Sequence, residues 1–268
     1  MLWNAQNGCV NIDDTDMYYV SFGRGSKAFV LLPGLSDGLA TVKGKALLLA
    51  NPYRMFFKEY TVYMFSRKNK MPDGYSIRDM AADQAKALKN LGITKASVMG
   101  VSQGGMIAQY LAIDYPELVE KLVIAVSAPR VNEVIQDCVT KWIKFAEQND
   151  HKSLMIDIAE KSYSEQYLKK YRKLYPVLGK IGKPGNYSRF FINANAILHF
   201  NAYDELNKIA CPTLIIGGDH DKTVGVNASY EMKDKIKDSE LYLYKSFGHA
   251  AYEEANDFNS RVYEFIMK

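Results

Sequence analysis

The sequence predicts an α/β protein in which a mostly parallel sheet carries helices on both faces. Two observations predict this fold class. Short apolar or β-branched runs alternate with helix-like runs along the 268 residues, and such alternation is typical of a parallel sheet covered by helices. In addition, one apolar run passes through a glycine-rich turn directly into a helix-like run, which is the order of a strand–turn–helix unit.

The predicted strands follow one another along most of the chain. They cover residues 27–32, 61–65, 96–100, 121–126, 212–217 and 240–244. We expect the earlier segment, residues 10–22, to supply antiparallel edge strands. Periodicity alone does not distinguish a short apolar run such as 121–126 from a helix, so its neighbours decide.

A change of pattern between residues 129 and 206 predicts a second domain. Helix-like runs follow each other there without a strand between them, as expected of an inserted helical cap. The predicted division is therefore a core formed by residues 1–128 and 207–268, with residues 129–206 as the cap.

A tyrosine repeat stands out within the predicted cap. Tyr163, Tyr167, Tyr171 and Tyr175 recur every four residues, which predicts one aromatic stripe on a helix. Packing between cap helices is the first interpretation of such a stripe. The alternative is that Tyr163 and Tyr167 form part of the wall of an apolar substrate pocket.

The glycine-rich turn carries the first candidate catalytic residue. Gly100, Ser102 and Gly104 form the pattern G-x-S-x-G between a strand-like and a helix-like run. In this context the serine lies at the tip of a sharp turn, where small neighbours let the chain pass. The helix that follows directs free N–H groups towards charge that develops beside the serine. We therefore predict that Ser102 is a nucleophile.

A nucleophilic serine needs a base, and the chain has four histidines. His151 lies in a polar run and is predicted to be a surface residue. His199 lies among apolar residues, which predicts a packed, hydrogen-bonded side chain. His220 is a candidate loop residue near the site. His249 follows a predicted strand and precedes the last helix, so it is the best candidate for the base.

The acid that orients the base is expected between the serine and the histidine. The predicted strand 212–217 leads into two carboxylates, Asp219 and Asp221. Charge alone does not distinguish them. The order Ser102, Asp221, His249 matches one of the known orders of catalytic triads.

These motifs together resemble the α/β-hydrolase superfamily of esterase- and lipase-like serine hydrolases, and the resemblance covers most of the chain. The resemblance implies an α/β-hydrolase fold, and the family's G-x-x-D pattern at residues 218–221 favours Asp221 as the acid. The matching segments, in order, are residues 29–36, 75–83, 100–119, 218–221 and 248–249.

The resemblance also implies an oxyanion hole, and here the chain departs from the family pattern. Pro33 stands where relatives often have histidine before the glycine of the oxyanion turn. The hole uses backbone N–H groups, so Leu35 and Gln103 remain the expected donors. A second departure is the segment 66–70, which replaces a glycine-rich loop and leaves the local loop shape undetermined.

Composition bounds the partners of the protein. The net charge is +4, from 34 basic and 30 acidic residues. The basic residues do not cluster into a stripe, so we do not expect binding to nucleic acid.

The cysteines and the hydropathy pattern indicate the compartment. Cys9, Cys138 and Cys211 are widely separated, which predicts reduced thiols in a cytoplasmic protein. We expect neither a signal peptide nor a membrane span. No metal-ligand spacing is evident, so we expect neither metal nor cofactor, and a small molecule as the partner. The oligomeric state stays open.

The expected function is that of a serine hydrolase that cleaves a small, mainly apolar carboxylic ester through an acyl-enzyme. Alternatives with the same triad are a carbon–carbon bond hydrolase, an enol-lactonase and a proline iminopeptidase. The last would need carboxylates in the cap, for which Glu160 and Glu165 are available. A different class of protein, a ligand-binding or signalling protein with little turnover, shares the fold because fold does not determine function.

Overall fold

A computed structural model describes residues 2–268. One sheet of eight strands runs through the molecule. The strands are β1 (Gln6–Ile12), β2 (Thr15–Gly23), β3 (Lys27–Leu32), β4 (Tyr60–Lys68), β5 (Ala96–Val101), β6 (Val119–Ala125), β7 (Thr213–Gly218) and β8 (Ser239–Tyr244).

The order of strands in the sheet is β1-β2-β4-β3-β5-β6-β7-β8. β2 pairs antiparallel with both β1 and β4, whereas β3 to β8 are mutually parallel. The mostly parallel sheet predicted from the sequence is confirmed. Residues 10–22 form the end of β1 and most of β2, so the antiparallel part of the sheet lies at the predicted edge.

Helices connect most of the parallel strands. They are α1 (Ala46–Ala50), α2 (Ile77–Asn90), α3 (Gln103–Asp114), α4 (Glu133–Glu147), α5 (His151–Ser162), α6 (Glu165–Tyr171), α7 (Tyr175–Leu178), α8 (Ser188–Leu198), α9 (Asn227–Lys235), α10 (Ala251–Glu254) and α11 (Phe258–Met267).

Both faces of the sheet are buried, as β3 illustrates. Val30 and Leu32 belong to one apolar cluster, and Phe29 and Leu31 belong to a second cluster. Successive side chains of a strand point to opposite faces, so this alternation places one core above the sheet and one below it. Covering both faces is what permits the continuous apolar run of a central parallel strand.

A helical insertion, residues 133–198, lies between β6 and β7 and contains α4 to α8. Its two ends are held together at the base. The Val131 N–H donates to the Phe200 carbonyl over 3.1 Å, and the Ala202 N–H donates to the Pro129 carbonyl over 2.8 Å. The chain therefore leaves the core and returns to it at neighbouring points. The boundaries of the predicted cap, 129 and 206, stay a prediction.

The tyrosine repeat does not lie on one helix, which corrects the expectation. Tyr163 follows the end of α5 with extended backbone (φ −91°, ψ 154°), and Ser164 caps the new helix α6. The spacing of four residues therefore crosses a helix boundary. The rings of Tyr163, Tyr167 and Tyr171 nevertheless stack, with centroids 4.4 and 4.1 Å apart.

Two histidines also differ from expectation. His151, predicted at the surface, is 2% exposed and lies 2.9 Å from both the Tyr187 hydroxyl and the Ile181 carbonyl. Its polar sequence neighbours did not reveal that a distant segment of the insertion covers the ring. His199, predicted to be packed, is exposed, although its Nδ1 does donate to the Asn195 carbonyl over 2.8 Å.

Candidate active site

Ser102 lies at the tip of the turn between β5 and α3. Its backbone (φ 54°, ψ −119°) occupies a region that residues with a side chain rarely adopt. The Ser102 N–H donates to the Ala125 carbonyl over 2.9 Å, and the Ser127 hydroxyl donates to the Ser102 carbonyl over 2.8 Å. Contacts with the end of β6 and the residues just after it thus hold the strained turn in place.

Close packing explains the two glycines of the motif. A Cβ on Gly104 would lie 1.9 Å from the Leu32 carbonyl oxygen, and a Cβ on Gly100 would lie 2.1 Å from the Gly104 oxygen. Any side chain at either position would force the turn away from its neighbours. The spacing G-x-S-x-G is therefore required by the approach of β5, α3 and β3.

The Ser102 hydroxyl is not used to cap the helix that it precedes. Ser76, Asn132, Asp150 and Ser164 each accept a hydrogen bond from the backbone of the helix that follows them. Within the described chain, Ser102 makes no such bond with α3. The strained backbone of Ser102 is non-helical, but it lies outside the β region that is typical of an N-cap. The hydroxyl is thus left to other partners.

His249 and Asp221 form a buried pair. His249 Nδ1 lies 2.8 Å from Asp221 Oδ2, and the two residues are 8% and 9% exposed. The other carboxylate oxygen of Asp221 accepts from the N–H groups of Thr223 and Val224 over 2.8 and 2.9 Å. A carboxylate held in this way fixes the imidazole with Nδ1 protonated, so Nε2 is the nitrogen that can accept a proton.

The two candidate acids have different partners. Asp219 Oδ1 accepts from the Ser246 N–H over 2.7 Å and contacts His220 Nδ1. The hydrogen bond from His220 lowers the pKa of the Asp219 carboxyl. Asp221 alone of the pair faces His249, so the structure distinguishes two carboxylates that charge could not separate.

Ser102 and His249 line one cavity of about 140 Å³. The cavity also touches Gly34 and Leu35, which follow β3. Ser102, Asp221 and His249 follow β5, β7 and β8, and the carboxyl ends of parallel strands meet at one edge of a sheet. The three predicted residues therefore converge from three strands.

The helical insertion supplies the apolar wall of this cavity. The wall residues from α4, α5 and α8 are Trp142, Met155, Ile158 and Phe190. Large apolar and aromatic side chains of this kind are typical of the lining of small-molecule pockets.

Tyr163 and Tyr167, the predicted pocket residues, are not among the residues that line the cavity, which corrects that interpretation. The Tyr163 hydroxyl donates to Glu253, and Glu254 accepts hydrogen bonds from the N–H and hydroxyl of Ser164. These contacts direct the start of α6 towards α10, so the two rings stack on each other rather than face Ser102.

The expected oxyanion donors, Leu35 and Gln103, lie at the first positions of two helices. Leu35 begins a 3₁₀-helix (Leu35–Gly38) and Gln103 begins α3. A backbone N–H at the first position of a helix has no acceptor within that helix. Both groups are therefore available to a negative oxygen placed beside Ser102.

Arg67, which no sequence motif singled out, is a buried residue that contacts both segments with the expected oxyanion donors. Arg67 is 1% exposed, and its Nη2 donates to the Pro33 carbonyl over 2.7 Å and to Gln103 Oε1 over 3.0 Å. Burial lowers the pKa of Arg67 to about 10, against the opposite effect of Asp37. The guanidinium therefore stays charged at neutral pH.

The available signal for Arg67 was weak: it is the first of three cations, with Lys68 and Lys70, that come just after a predicted apolar strand. The predicted strand 61–65 in fact continues to Lys68, so segment 66–70 begins inside the sheet rather than as a loop. That extension carries the Arg67 side chain under the oxyanion turn.

Asp37 fastens the insertion to the same turn. Asp37 Oδ2 accepts from the Arg67 N–H over 3.0 Å and from Arg189 Nη2 over 2.6 Å. Arg189 Nε also donates to the Asp37 carbonyl over 2.9 Å. Since Arg189 belongs to α8, these bonds fix one helix of the insertion above Leu35.

The described part of the chain also shows how its metal-ligating side chains, its helices and its cysteines are arranged. Among residues 2–268, no group of three or more His, Cys, Asp or Glu side chains is arranged to hold a metal ion. No helix in this range is long and apolar enough to cross a membrane. Cys9, Cys138 and Cys211 are free thiols.

Comparison with known proteins establishes the family. The family described as "alpha/beta hydrolase fold" matches residues 60–256, a range that includes Ser102, Asp221 and His249. The chain belongs to the alpha/beta hydrolase family. This confirms the resemblance inferred from the motifs.

Relatives of this alpha/beta hydrolase carry out several reactions. It is 26% identical over 288 aligned positions to a 2-hydroxy-6-oxononadienedioate/2-hydroxy-6-oxononatrienedioate hydrolase of Pseudomonas sp, which covers 98% of the chain and 93% of the relative. It is 24% identical over 288 positions to epoxide hydrolase 1 of Caenorhabditis elegans, with 97% and 70% covered. These names support a hydrolytic function.

Solved structures show the same fold. An alpha/beta hydrolase enzyme from a Medee basin deep-sea metagenome library superposes with a TM-score of 0.83 at 20% identity, covering 97% of this chain and 98% of that chain. The enol-lactonase from Burkholderia xenovorans superposes with a TM-score of 0.80 at 17% identity, covering 97% and 100%.

Proposed function

We propose that this alpha/beta hydrolase is a serine hydrolase that cleaves a small, mainly apolar carboxylic ester through an acyl-enzyme. The observation that carries the proposal is the His249–Asp221 contact of 2.8 Å, with His249 and Ser102 lining one cavity. A base that is oriented by a buried carboxylate beside a serine on a strained turn is the arrangement that activates a hydroxyl nucleophile.

In the proposed reaction, Ser102 Oγ attacks the ester carbonyl carbon while its proton passes to His249 Nε2. The backbone N–H groups of Leu35 and Gln103 hold the oxyanion that forms. The carbon–oxygen bond then breaks, and the leaving alcohol takes the proton from His249. Water, deprotonated by His249, attacks the acyl-enzyme, and the acid product leaves as Ser102 recovers its proton.

The character of the cavity supports an apolar substrate. In the structure as described for residues 2–268, neither Lys nor Arg lines the cavity, whereas Trp142 and Phe190 do. A substrate with two carboxylates would lose its hydration there without gaining a cation. We propose that residues 129–206 act as a cap that sets this selectivity.

One of the three alternatives with the same triad fits the contacts less well. A carbon–carbon bond hydrolase or an enol-lactonase would use the same triad. The proteins similar to this chain include a 2-hydroxy-6-oxononadienedioate/2-hydroxy-6-oxononatrienedioate hydrolase and an enol-lactonase. The proline iminopeptidase is disfavoured, because Arg172 binds both Glu160 and Glu165, at 2.8 and 2.6 Å. Their charges are already balanced and are not free to bind a substrate ammonium.

The experiment that tests the proposal combines turnover with covalent labelling. We expect steady hydrolysis of p-nitrophenyl butyrate and labelling of Ser102 by a fluorophosphonate. We expect Ser102→Ala to lose both the hydrolysis and the labelling, while its melting temperature stays that of the wild type. Stoichiometric binding of the ester without turnover would instead support a ligand-binding protein, and labelling at another residue would refute the assignment of Ser102.

A further inference from the structure

A second apolar space lies on the other side of the oxyanion turn. This groove has a volume of about 550 Å³, which is within the range of small-molecule sites. Its wall comes from β3, β4 and β5, from residues 48–53 and from residues 252–259, and Leu48 at its edge is 75% exposed. We define the groove by Leu31, Met64, Met99, Leu48, Leu49 and Tyr53.

The groove begins beside the proposed nucleophile. Gly34, Ser36, Val101 and Tyr252 line both the groove and the Ser102 cavity. A Cβ on Gly34 would lie 3.3 Å from Ser102 Cβ and 3.8 Å from Ser102 Oγ. The absence of a side chain at Gly34 therefore leaves space next to the hydroxyl, at the point where the two spaces meet.

The position of His249 indicates which half of an ester lies in the cavity and which lies in the groove. Among the described residues, His249 lines the cavity and not the groove. The leaving oxygen must receive its proton from His249, so the alcohol half lies on the histidine side. The acyl half then extends away from His249, past Gly34.

We propose that the groove is the acyl-chain site, and that the enzyme acts on esters that join a long, neutral acyl chain to a small alcohol. This inference rests on the proposed serine hydrolase function. The cavity of about 140 Å³ is close to the size of cavities that bind benzene. The groove is several times larger, so the acyl half is the larger half of the substrate.

The charge of Glu253 sets the character of the acyl chain. Glu253 lines the groove, is exposed, and accepts a hydrogen bond from the Tyr163 hydroxyl. A carboxylate at this position repels a second carboxylate at the end of the acyl chain. An uncharged hydrocarbon chain meets the apolar side chains of Met64, Met99 and Leu49 instead.

Two isomeric esters test the orientation. Methyl nonanoate carries its long chain on the acyl side, whereas octyl acetate carries it on the alcohol side. We expect kcat/KM to be at least about tenfold higher for methyl nonanoate, and to rise about fourfold for each methylene buried along a methyl ester series. A preference for octyl acetate, or a profile that is flat beyond butanoate, would overturn the proposal.

Substitutions on α1 test whether the acyl chain of the substrate lies in the groove. Leu49→Trp narrows the groove, and we expect the loss of kcat/KM to be at least tenfold larger for methyl nonanoate than for methyl butanoate. Leu47, 55% exposed on the same helix, provides the control Leu47→Trp. Equal effects of the two tryptophans would contradict the proposal, and the isomer comparison on the wild type stands even if Leu49→Trp does not fold.

The outcomes separate this inference from the proposed function. If the enzyme hydrolyses short esters and Ser102 is labelled, but chain length has no effect, the groove proposal alone fails. If no ester of either orientation is hydrolysed and Ser102 is not labelled, the serine hydrolase proposal itself fails.

Discussion

Arg67 and Gln103 join the two chain segments that carry the proposed oxyanion donors. Arg67 Nη2 lies 3.0 Å from Gln103 Oε1 and 2.7 Å from the Pro33 carbonyl. The Gln103 amide in turn donates to the Asn193 carbonyl over 2.8 Å, which adds the insertion to the same network. One buried guanidinium thus fixes the relative position of the Leu35 and Gln103 N–H groups, as preorganised stabilisation of an oxyanion requires.

We therefore expect Arg67→Lys to impair the chemical step more than substrate binding. A lysine keeps the charge but lacks the rigid planar guanidinium that holds Nη2 between the Pro33 carbonyl and Gln103 Oε1. The expected result is about a tenfold lower kcat with a smaller change in KM, measured on p-nitrophenyl butyrate. Lys70→Met, which removes an exposed cation two residues beyond the end of the strand, is the control. A lower melting temperature with unchanged kcat would show that Arg67 acts on stability alone.

The two aspartates near His249 should differ strongly. Asp221→Asn favours the wrong imidazole tautomer, and a loss of about 10⁴ in kcat is expected. Asp219→Asn should change kcat only a few-fold, because Asp219 contacts His220 and the Ser246 N–H. Comparable losses in the two variants, or a larger loss for Asp219→Asn, would refute the role assigned to Asp221.

Tyr167 and Ile158 should separate stability from selectivity. Tyr167 stacks between Tyr163 and Tyr171, so Tyr167→Ala is expected to cost about 1–3 kcal/mol of unfolding free energy with unchanged ester preference. Ile158 lines the cavity, so Ile158→Phe should reduce activity towards bulky alcohols selectively. Denaturant unfolding and an alcohol-size series on both variants check this. A shift of preference in Tyr167→Ala would place that ring at the substrate after all.

Glu205 should contribute stability that depends on pH. Its carboxylate pairs with Arg78, which also binds Asp114, and the hydrogen bond from Arg78 lowers the pKa of Glu205 to about 2 from an ordinary value of 4.5. A lowered carboxyl pKa gives stability that is complete above pH 4.5 and is lost as the pH falls towards 2.

The matched measurement compares the wild type with Glu205→Gln. Because the pair is partly exposed, we expect the wild type to be more stable by about 1 kcal/mol near neutral pH. The difference should vanish as the pH falls towards about 2. Glu117→Gln, at an exposed ion pair, is the control. A difference between wild type and Glu205→Gln that is constant with pH would contradict the role of this charge.

Sequence patterns predicted the fold class and the main candidates because these features are local. The alternation of apolar runs predicted the parallel sheet, and G-x-S-x-G is a continuous motif between one strand and the next helix. The contact with β3 that leaves no space for a side chain at Gly104 became visible only in the structure. His249 could be predicted as the base because it alone of the four histidines follows a predicted strand and precedes the last helix.

Burial was the property that the sequence predicted least well. His151 has polar neighbours in sequence, yet Ile181 and Tyr187 cover it from 30 and 36 residues away. The tyrosine repeat had the period of a helix, but Ser164 begins a new helix within it and turns the rings from the cavity. In both cases, contacts between distant segments overrode a local pattern.

By itself, then, the sequence determined an α/β sheet with Ser102 on a turn between strand and helix, since both depend on neighbours along the chain. Charge did not distinguish Asp219 from Asp221, and the family pattern only favoured Asp221. The tertiary structure brings Asp221 against His249, 28 residues later. It also decided that Arg67 lies beneath the oxyanion turn, bonded to residues 34 and 36 positions away. Such pairings depend on the register in which parallel strands assemble, because their carboxyl ends bring residues together regardless of their distance in sequence.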